Sequence, residues 1–156
     1  MYNDDDLTVL EADLDDPLDQ LAPLEDEAPK PDPELMLKLL DAEDVQQRVL
    51  ATRAFCDLQY APAIPRLMQL LTDTCPLVRV SAAYALGRNP SMAAVEPLIA
   101  QYHQDWNGYV RKGVVWALGN CQDDRALDTL IAALKHDISA VRLWAASSLA
   151  QMATLG

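Results

Sequence analysis

A ten-residue block recurs along this chain at intervals of roughly 31 residues, a repeat period, and nothing else in the sequence restricts the fold as strongly. VRVSAAYALG (78–87), VRKGVVWALG (110–119) and VRLWAASSLA (141–150) align without gaps, and QRVLATRAFC (47–56) is a degenerate earlier copy. The arginines that open them, Arg48, Arg79, Arg111 and Arg142, are evenly spaced except that the middle interval is one position longer. A shorter apolar stretch precedes each block: PELMLKLL (33–40), AIPRLMQLL (63–71), AVEPLIAQY (94–102) and ALDTLIAAL (126–134). Each unit therefore reads as a shorter helix A, a turn and a helix B. One such unit cannot cover its own apolar face, so neighbours must stack on it. Composition agrees: Leu (25) and Ala (23) supply 48 of 156 residues, and both are strong helix formers. No stretch alternates at period two with β-branched enrichment. The expected fold is all-α, a helical-repeat solenoid of about four helix pairs.

Successive residues of a helix turn by about 100°. In each B block the residue before the arginine shares a face with the third, sixth and seventh residues after it. These are Val78, Ala82, Ala85 and Leu86; Val110, Val114, Ala117 and Leu118; Val141, Ala145, Ser148 and Leu149. This face is the expected core. Positions one, five and nine after the arginine project away from it: Val49, Arg53 and Asp57; Val80, Tyr84 and Arg88; Lys112, Trp116 and Asn120; Leu143, Ser147 and Gln151. Gly87 and Gly119 are expected to end two B helices as left-handed C-caps. The longer step from Arg79 to Arg111 is assigned to one extra residue in the turn HQDWNG (103–108). Ile131, Leu134, Leu149 and Met152, in the last unit, are expected to stay partly uncovered.

Charge divides the chain near residue 33. Residues 1–34 hold 13 acidic residues and Lys30 alone as a base, whereas residues 35–156 hold 11 of each sign. Residues 1–32 are read as a flexible acidic tail and 33–156 as the repeat domain. With Pro17, Pro23, Pro29 and Pro31 the tail cannot bury enough apolar surface to offset its ordering entropy. Its Leu7, Leu10, Leu14, Leu18 and Leu21 nonetheless follow helical spacing, so it serves either as a solvating segment or as an amphipathic one that folds on a partner or on the chain's own groove. The absence of a basic excess argues against nucleic acid as a partner. No apolar run approaches the ~20 residues of a membrane span, and the start MYNDDDLTVL lacks the basic region of a secretion signal. A cytoplasmic protein is expected.

No catalytic constellation emerges. His103 and His136 follow the ends of different A helices, and Asp123 and Asp124 read as N-cap residues rather than an acid/base pair. Cys56, Cys75 and Cys121 are odd in number and too widely spaced for a CxxC metal site or a disulfide framework. No cofactor and no metal are expected. The more informative column is the outward one, where Tyr84 and Trp116 should be neighbours flanked by Arg53, Arg88 and Lys112. Aromatic residues and arginine are enriched in interface hot spots. Arg53, Tyr84, Arg88, Lys112, Trp116 and Asn120 are therefore the candidate partner-binding residues. Trp106, in the enlarged turn beside Asn107 and Gly108, is a second candidate contact.

Across about 33–152 the repeats resemble HEAT-like repeats of the short type found in phycobilin lyases and related cyanobacterial proteins. HEAT repeats commonly carry an Asp in the turn and an Arg six residues later, forming a ladder between units. Asp73–Arg79 and Asp105–Arg111 match that spacing; Asp137–Arg142 is one residue shorter, and the first unit has Ala42 at the Asp position. The resemblance implies that the B helices line a concave face, which makes the outward column one strip. It also implies a non-catalytic interaction scaffold in phycobiliprotein or phycobilisome maturation. In lyases of this type two related HEAT-like subunits together attach a bilin to a phycobiliprotein cysteine. Expected partners are a phycobiliprotein or a second HEAT-like subunit, with a bilin as further ligand, and phycobilin lyase activity would arise only in a heteromeric complex. The sequence also resembles a cyanobacterial HEAT-repeat protein that binds an A-type iron–sulfur cluster carrier, which gives the alternative role of assembly partner to that carrier.

Overall fold

The computed structural model describes residues 29–155, so the acidic segment before residue 29 lies outside the described residues. These residues form eight α-helices in four successive pairs. The first pair is α1 (Pro33–Leu39) and α2 (Val45–Ala54), and the second is α3 (Ile64–Leu70) and α4 (Pro76–Arg88). The third is α5 (Val95–Gln104) and α6 (Gly108–Cys121), and the fourth is α7 (Leu127–His136) and α8 (Ser139–Leu155). No strand occurs among the described residues.

The helix starts follow local chemistry. Asp32, Asp44 and Asn107 accept backbone N–H bonds as N-caps of α1, α2 and α6. Pro33 and Pro76 occupy first-turn positions, where no N–H is needed. Short 3-10 turns, Ala61–Ala63, Met92–Ala94 and Asp124–Ala126, lead into α3, α5 and α7.

The core lies where the rotation of the helix puts it. Val78, Ala82, Ala85 and Leu86 are fully buried, as are Val110, Val114, Ala117 and Leu118. B helices pack on B helices from unit to unit, and each A helix covers its own B helix. Val80, assigned to the outward face, is buried instead, because that side of α4 lies partly in the junction between units. Met152 is also buried, whereas Ile131 and Leu134 are exposed and Leu149 is half-buried.

Gly87 and Gly119 do not cap their helices. No glycine among the described residues has positive φ; the left-handed residue is Gln122 (φ 53°), which ends α6. The two glycines lie within α4 and α6, where a neighbouring B helix comes too close for a side chain. A Cβ on Gly87 would overlap the indole ring of Trp116, and one on Gly119 would overlap the side chain of Ser148. Close approach, not backbone conformation, requires them.

Along the turn edge an arginine ladder joins the units. Nε of Arg48, Arg79 and Arg111 donates to the carboxylates of Asp73, Asp105 and Asp137, at 3.0, 2.8 and 3.0 Å. Each carboxylate belongs to the following unit. Nη1 of the same arginines donates back to their own turn, to the carbonyls of Ala42, Asp73 and Asp105. Ala42 therefore leaves no gap, since its backbone does what that position requires of Arg48. The shorter Asp137–Arg142 spacing is equally harmless: Nη1 of Arg142 donates to the Asp137 carbonyl at 2.9 Å. At the other end of the B helices Asn89 joins the first two units. Its Nδ2 donates to the carbonyls of Phe55 and Leu58, and its Oδ1 accepts from the Tyr60 N–H.

Candidate functional site

The outward positions of α4 and α6 meet along the junction of the second and third units. Tyr84 and Trp116 are in ring contact, with centroids 5.4 Å apart and planes tilted by 40°. Two glycines make room for the contact: the Trp116 ring lies over Gly87, where a Cβ would overlap it, and the Tyr84 ring lies against Gly113, where a Cβ would be a tight fit. Both aromatic side chains are half-buried, with one part in the junction and the rest reaching solvent. On an isolated helix their positions, nearly opposite the core, would be fully open; here each B helix lies against the next and covers part of them.

The remaining candidates lie on α2, α4, α6 and the α5–α6 turn. Arg88 ends α4 and is exposed, whereas Arg53 on α2 and Lys112 on α6 are half-buried. The Lys112 ammonium stands 5.5 Å above the ring centroid of Trp144, on α8. That distance is within cation–π range, so its charge is partly engaged by the fourth unit. Asn120 bridges units: its Nδ2 donates to the Gly87 carbonyl at 3.0 Å, and its Oδ1 accepts from Nε2 of Gln151 at 3.1 Å. Trp106 lies apart, in the α5–α6 turn, and is 79% exposed.

Trp144 is the residue that the sequence reading missed. It stands two positions after Arg142, outside the one-five-nine column, yet it reaches Lys112 across the junction. The available signal was the register between neighbouring B helices, which a single helical wheel does not contain.

The turn ladder contributes no reactive group. Burial pushes the Asp137 carboxyl upward, but bonds from Arg111, Tyr102 and the Ile138 N–H outweigh it, so the group lies below the usual carboxylate range. Burial, with the bond it donates to Asp137, pushes the Tyr102 phenol well above its ordinary value. Burial also raises the Cys121 thiol, which keeps it protonated and inert near neutral pH. His103 and His136 are exposed in the last turns of α5 and α7. Among the described residues no group of three His, Cys, Asp or Glu side chains could hold a metal ion. No described helix is long and apolar enough to cross a membrane. What the arrangement offers is a contact surface: an aromatic pair, an exposed guanidinium, an ammonium over an indole and a bridging amide.

Comparison with known proteins agrees with the resemblance read from the repeats. The family model for HEAT repeats matches residues 33–100 and 95–155. The bilin biosynthesis protein RpcF of Synechococcus sp. (strain WH8020) is 34% identical over 112 residues, covering 71% of this chain and 53% of that protein. The chain thus spans about half the length of the curated relative it matches. With its period, its helix pairs and the match from 33 to 155 all describing one repeat, the chain belongs to the HEAT-repeat family.

Proposed function

We propose that the protein is a HEAT-repeat interaction scaffold in phycobiliprotein maturation, bilin-lyase-like in architecture and without catalysis of its own. The observation that carries this reading is its 34% identity over 112 residues to a bilin biosynthesis protein. The partner-binding surface is the strip of Arg53, Tyr84, Arg88, Lys112, Trp116 and Asn120, with Trp106 as an outlying contact. Its chemistry suits a bilin-bearing partner, since tetrapyrrole propionates pair with guanidinium and ammonium groups and the conjugated system lies against aromatic rings. A phycobiliprotein surface would use the same residues as hot spots.

Titration with phycocyanobilin and, separately, with an apo-phycobiliprotein tests the proposal. Bilin absorbance and intrinsic tryptophan fluorescence report the first, and calorimetry reports the second. At least one should bind saturably, and Arg88→Ala with Trp116→Ala should weaken it by tenfold or more. If neither binds while an A-type iron–sulfur carrier does, the protein is an assembly partner of that carrier and the bilin reading is wrong.

A further inference from the structure

Residues 1–28 hold 11 acidic residues and no base. The outward column of the B helices has the opposite balance: three bases, Arg53, Arg88 and Lys112, against one acid, Asp57. The column also holds Tyr84 and Trp116, in ring contact and half-buried. The acidic segment has an apolar counterpart to them. Leu7, Leu10, Leu14, Leu18 and Leu21 recur at helical spacing, and Glu11 and Asp15 each follow a leucine of that stripe. A helix of this pattern presents leucines to an apolar surface with carboxylates beside them. The path between the two is short. The turn 40–44 reverses the chain between α1 and α2, so α1 starts on the edge where the B helices end, the edge of Arg53, Arg88 and Asn120. The next unit shows the same relation, since Asn89, just past α4, accepts from the N–H of Tyr60, which precedes α3. Helices pack ~8–10 Å apart, which puts the α4–α6 junction within ~25 Å of the start of α1. The seven residues 22–28 span ~23–25 Å when extended.

We propose that residues 7–21 dock on this strip, leucines against Tyr84 and Trp116 and carboxylates against Arg53, Arg88 and Lys112, so that the chain competes for its own partner-binding surface. The first helix pair offers another apolar patch, the exposed Leu35 and Leu50, but α1 and the α1–α2 turn carry Glu34, Asp41, Glu43 and Asp44. A segment with no base is repelled there. The turn ladder is closed to it as well, because its arginines already hold Asp73, Asp105 and Asp137. Exposed ion pairs contribute little each, and salt screens them. The docked state is thus a modest majority, and partner affinity falls about threefold, in proportion to the open fraction. That factor is ~0.6 kcal/mol, which the melting temperature registers only slightly. The competition, though not the contact itself, rests on the strip being the partner surface proposed above.

The test replaces Leu14 of the full chain by photo-reactive benzoylphenylalanine, irradiates the purified protein mixed with isotope-labelled copies, and maps the cross-linked peptides. Cross-links within one chain, to α4 and α6 along the strip, are expected. Salt at about 1 M, where charges are screened beyond ~3 Å, should reduce their yield several-fold. Glu11→Lys with Asp15→Lys should do the same, and adding Arg88→Glu should restore part of it. Arg88 is exposed, and circular dichroism checks that this variant folds. Cross-links between labelled and unlabelled chains, or to α1 and the α1–α2 turn, would overturn the contact. So would the absence of cross-links, or a yield indifferent to salt and to the charge reversals. The competition is read separately, by titrating the Leu10→Ser, Leu14→Ser chain with phycocyanobilin and with an apo-phycobiliprotein. Whichever binds the parent should bind this variant about threefold more tightly, and equal binding would overturn the competition. If neither binds either protein, the proposed function fails and the competition with it, whereas the cross-links still decide the contact.

Discussion

Two edges of the B helices solve the problem of joining units in opposite ways. At the turn edge, charge is taken out of water and fully paired: the Arg79 and Asp105 side chains are 10% and 1% exposed, and every guanidinium nitrogen of Arg79 has an acceptor. Along the strip of α4 and α6, joining is apolar and incomplete, with Tyr84 and Trp116 in mutual contact and partly in solvent. A saturated ladder has no capacity left for a ligand, whereas a half-covered aromatic pair does. On the proposed function, fixing the register and binding a partner fall to different edges, so each should be open to perturbation with little effect on the other.

The sharpest break in that comparison is Asp105→Ala. It leaves the Arg79 guanidinium buried without its carboxylate and also removes the acceptor of Gln101 and of the Asn107 N–H. Loss of one partner of a buried ion pair costs ~3–5 kcal/mol. Chemical denaturation should show this loss with partner affinity unchanged in the fraction that stays folded. A loss under about 1 kcal/mol, the scale of an exposed pair, would mean that the ladder is ornamental.

Trp116→Ala should show the opposite profile. Partner binding should weaken by ~2 kcal/mol or more, the hot-spot range. Because the ring is only half-buried, the stability loss should fall below the ~3–5 kcal/mol of a fully buried tryptophan. If unfolding and binding suffer equally, the strip is a repeat junction and no more.

The two edges also differ in how far the sequence revealed them. The periodicity of Val78, Ala82, Ala85 and Leu86 placed the core, because burial within one helix obeys one angle. The same rule misplaced Val80 and missed Trp144, because both depend on where the neighbouring B helix lies. Gly87 shows the limit most plainly. Its position near a helix end suggests a cap, yet it is required by the indole ring of Trp116, which belongs to the next B helix. The resemblance to HEAT repeats gave the ladder, but not that each carboxylate serves the arginine of the unit before it.

A smaller effect tests the ladder through pH. Asp137 lies below the usual carboxylate range, so its contribution to stability is fully present above the unfolded-state pKa. It is lost as pH falls through the folded value, that is, below about pH 4. Tyr102→Phe removes the 2.7 Å bond from the phenol to Asp137 and should cost ~1–2 kcal/mol at neutral pH. It should also shift the onset of acid unfolding to higher pH. An acid limb identical to that of the parent would show that Arg111 alone holds the carboxylate.

The smallest effect concerns where the repeat domain begins. Its first helix starts at Pro33, but its N-cap is Asp32, whose side chain accepts from the Glu34 N–H at 3.1 Å and whose carbonyl accepts from the Met36 N–H. Removing residues 1–28 takes none of these groups and should leave the melting temperature nearly unchanged. Removing residues 1–32 deletes the cap and should cost ~1 kcal/mol, the usual value of such a side chain. Calorimetry of the two truncations separates the alternatives. Equal and negligible losses would mean that α1 needs no cap. A large loss already at residue 28 would mean that the acidic segment packs on the solenoid, and the division of the chain near residue 33 would then describe charge alone.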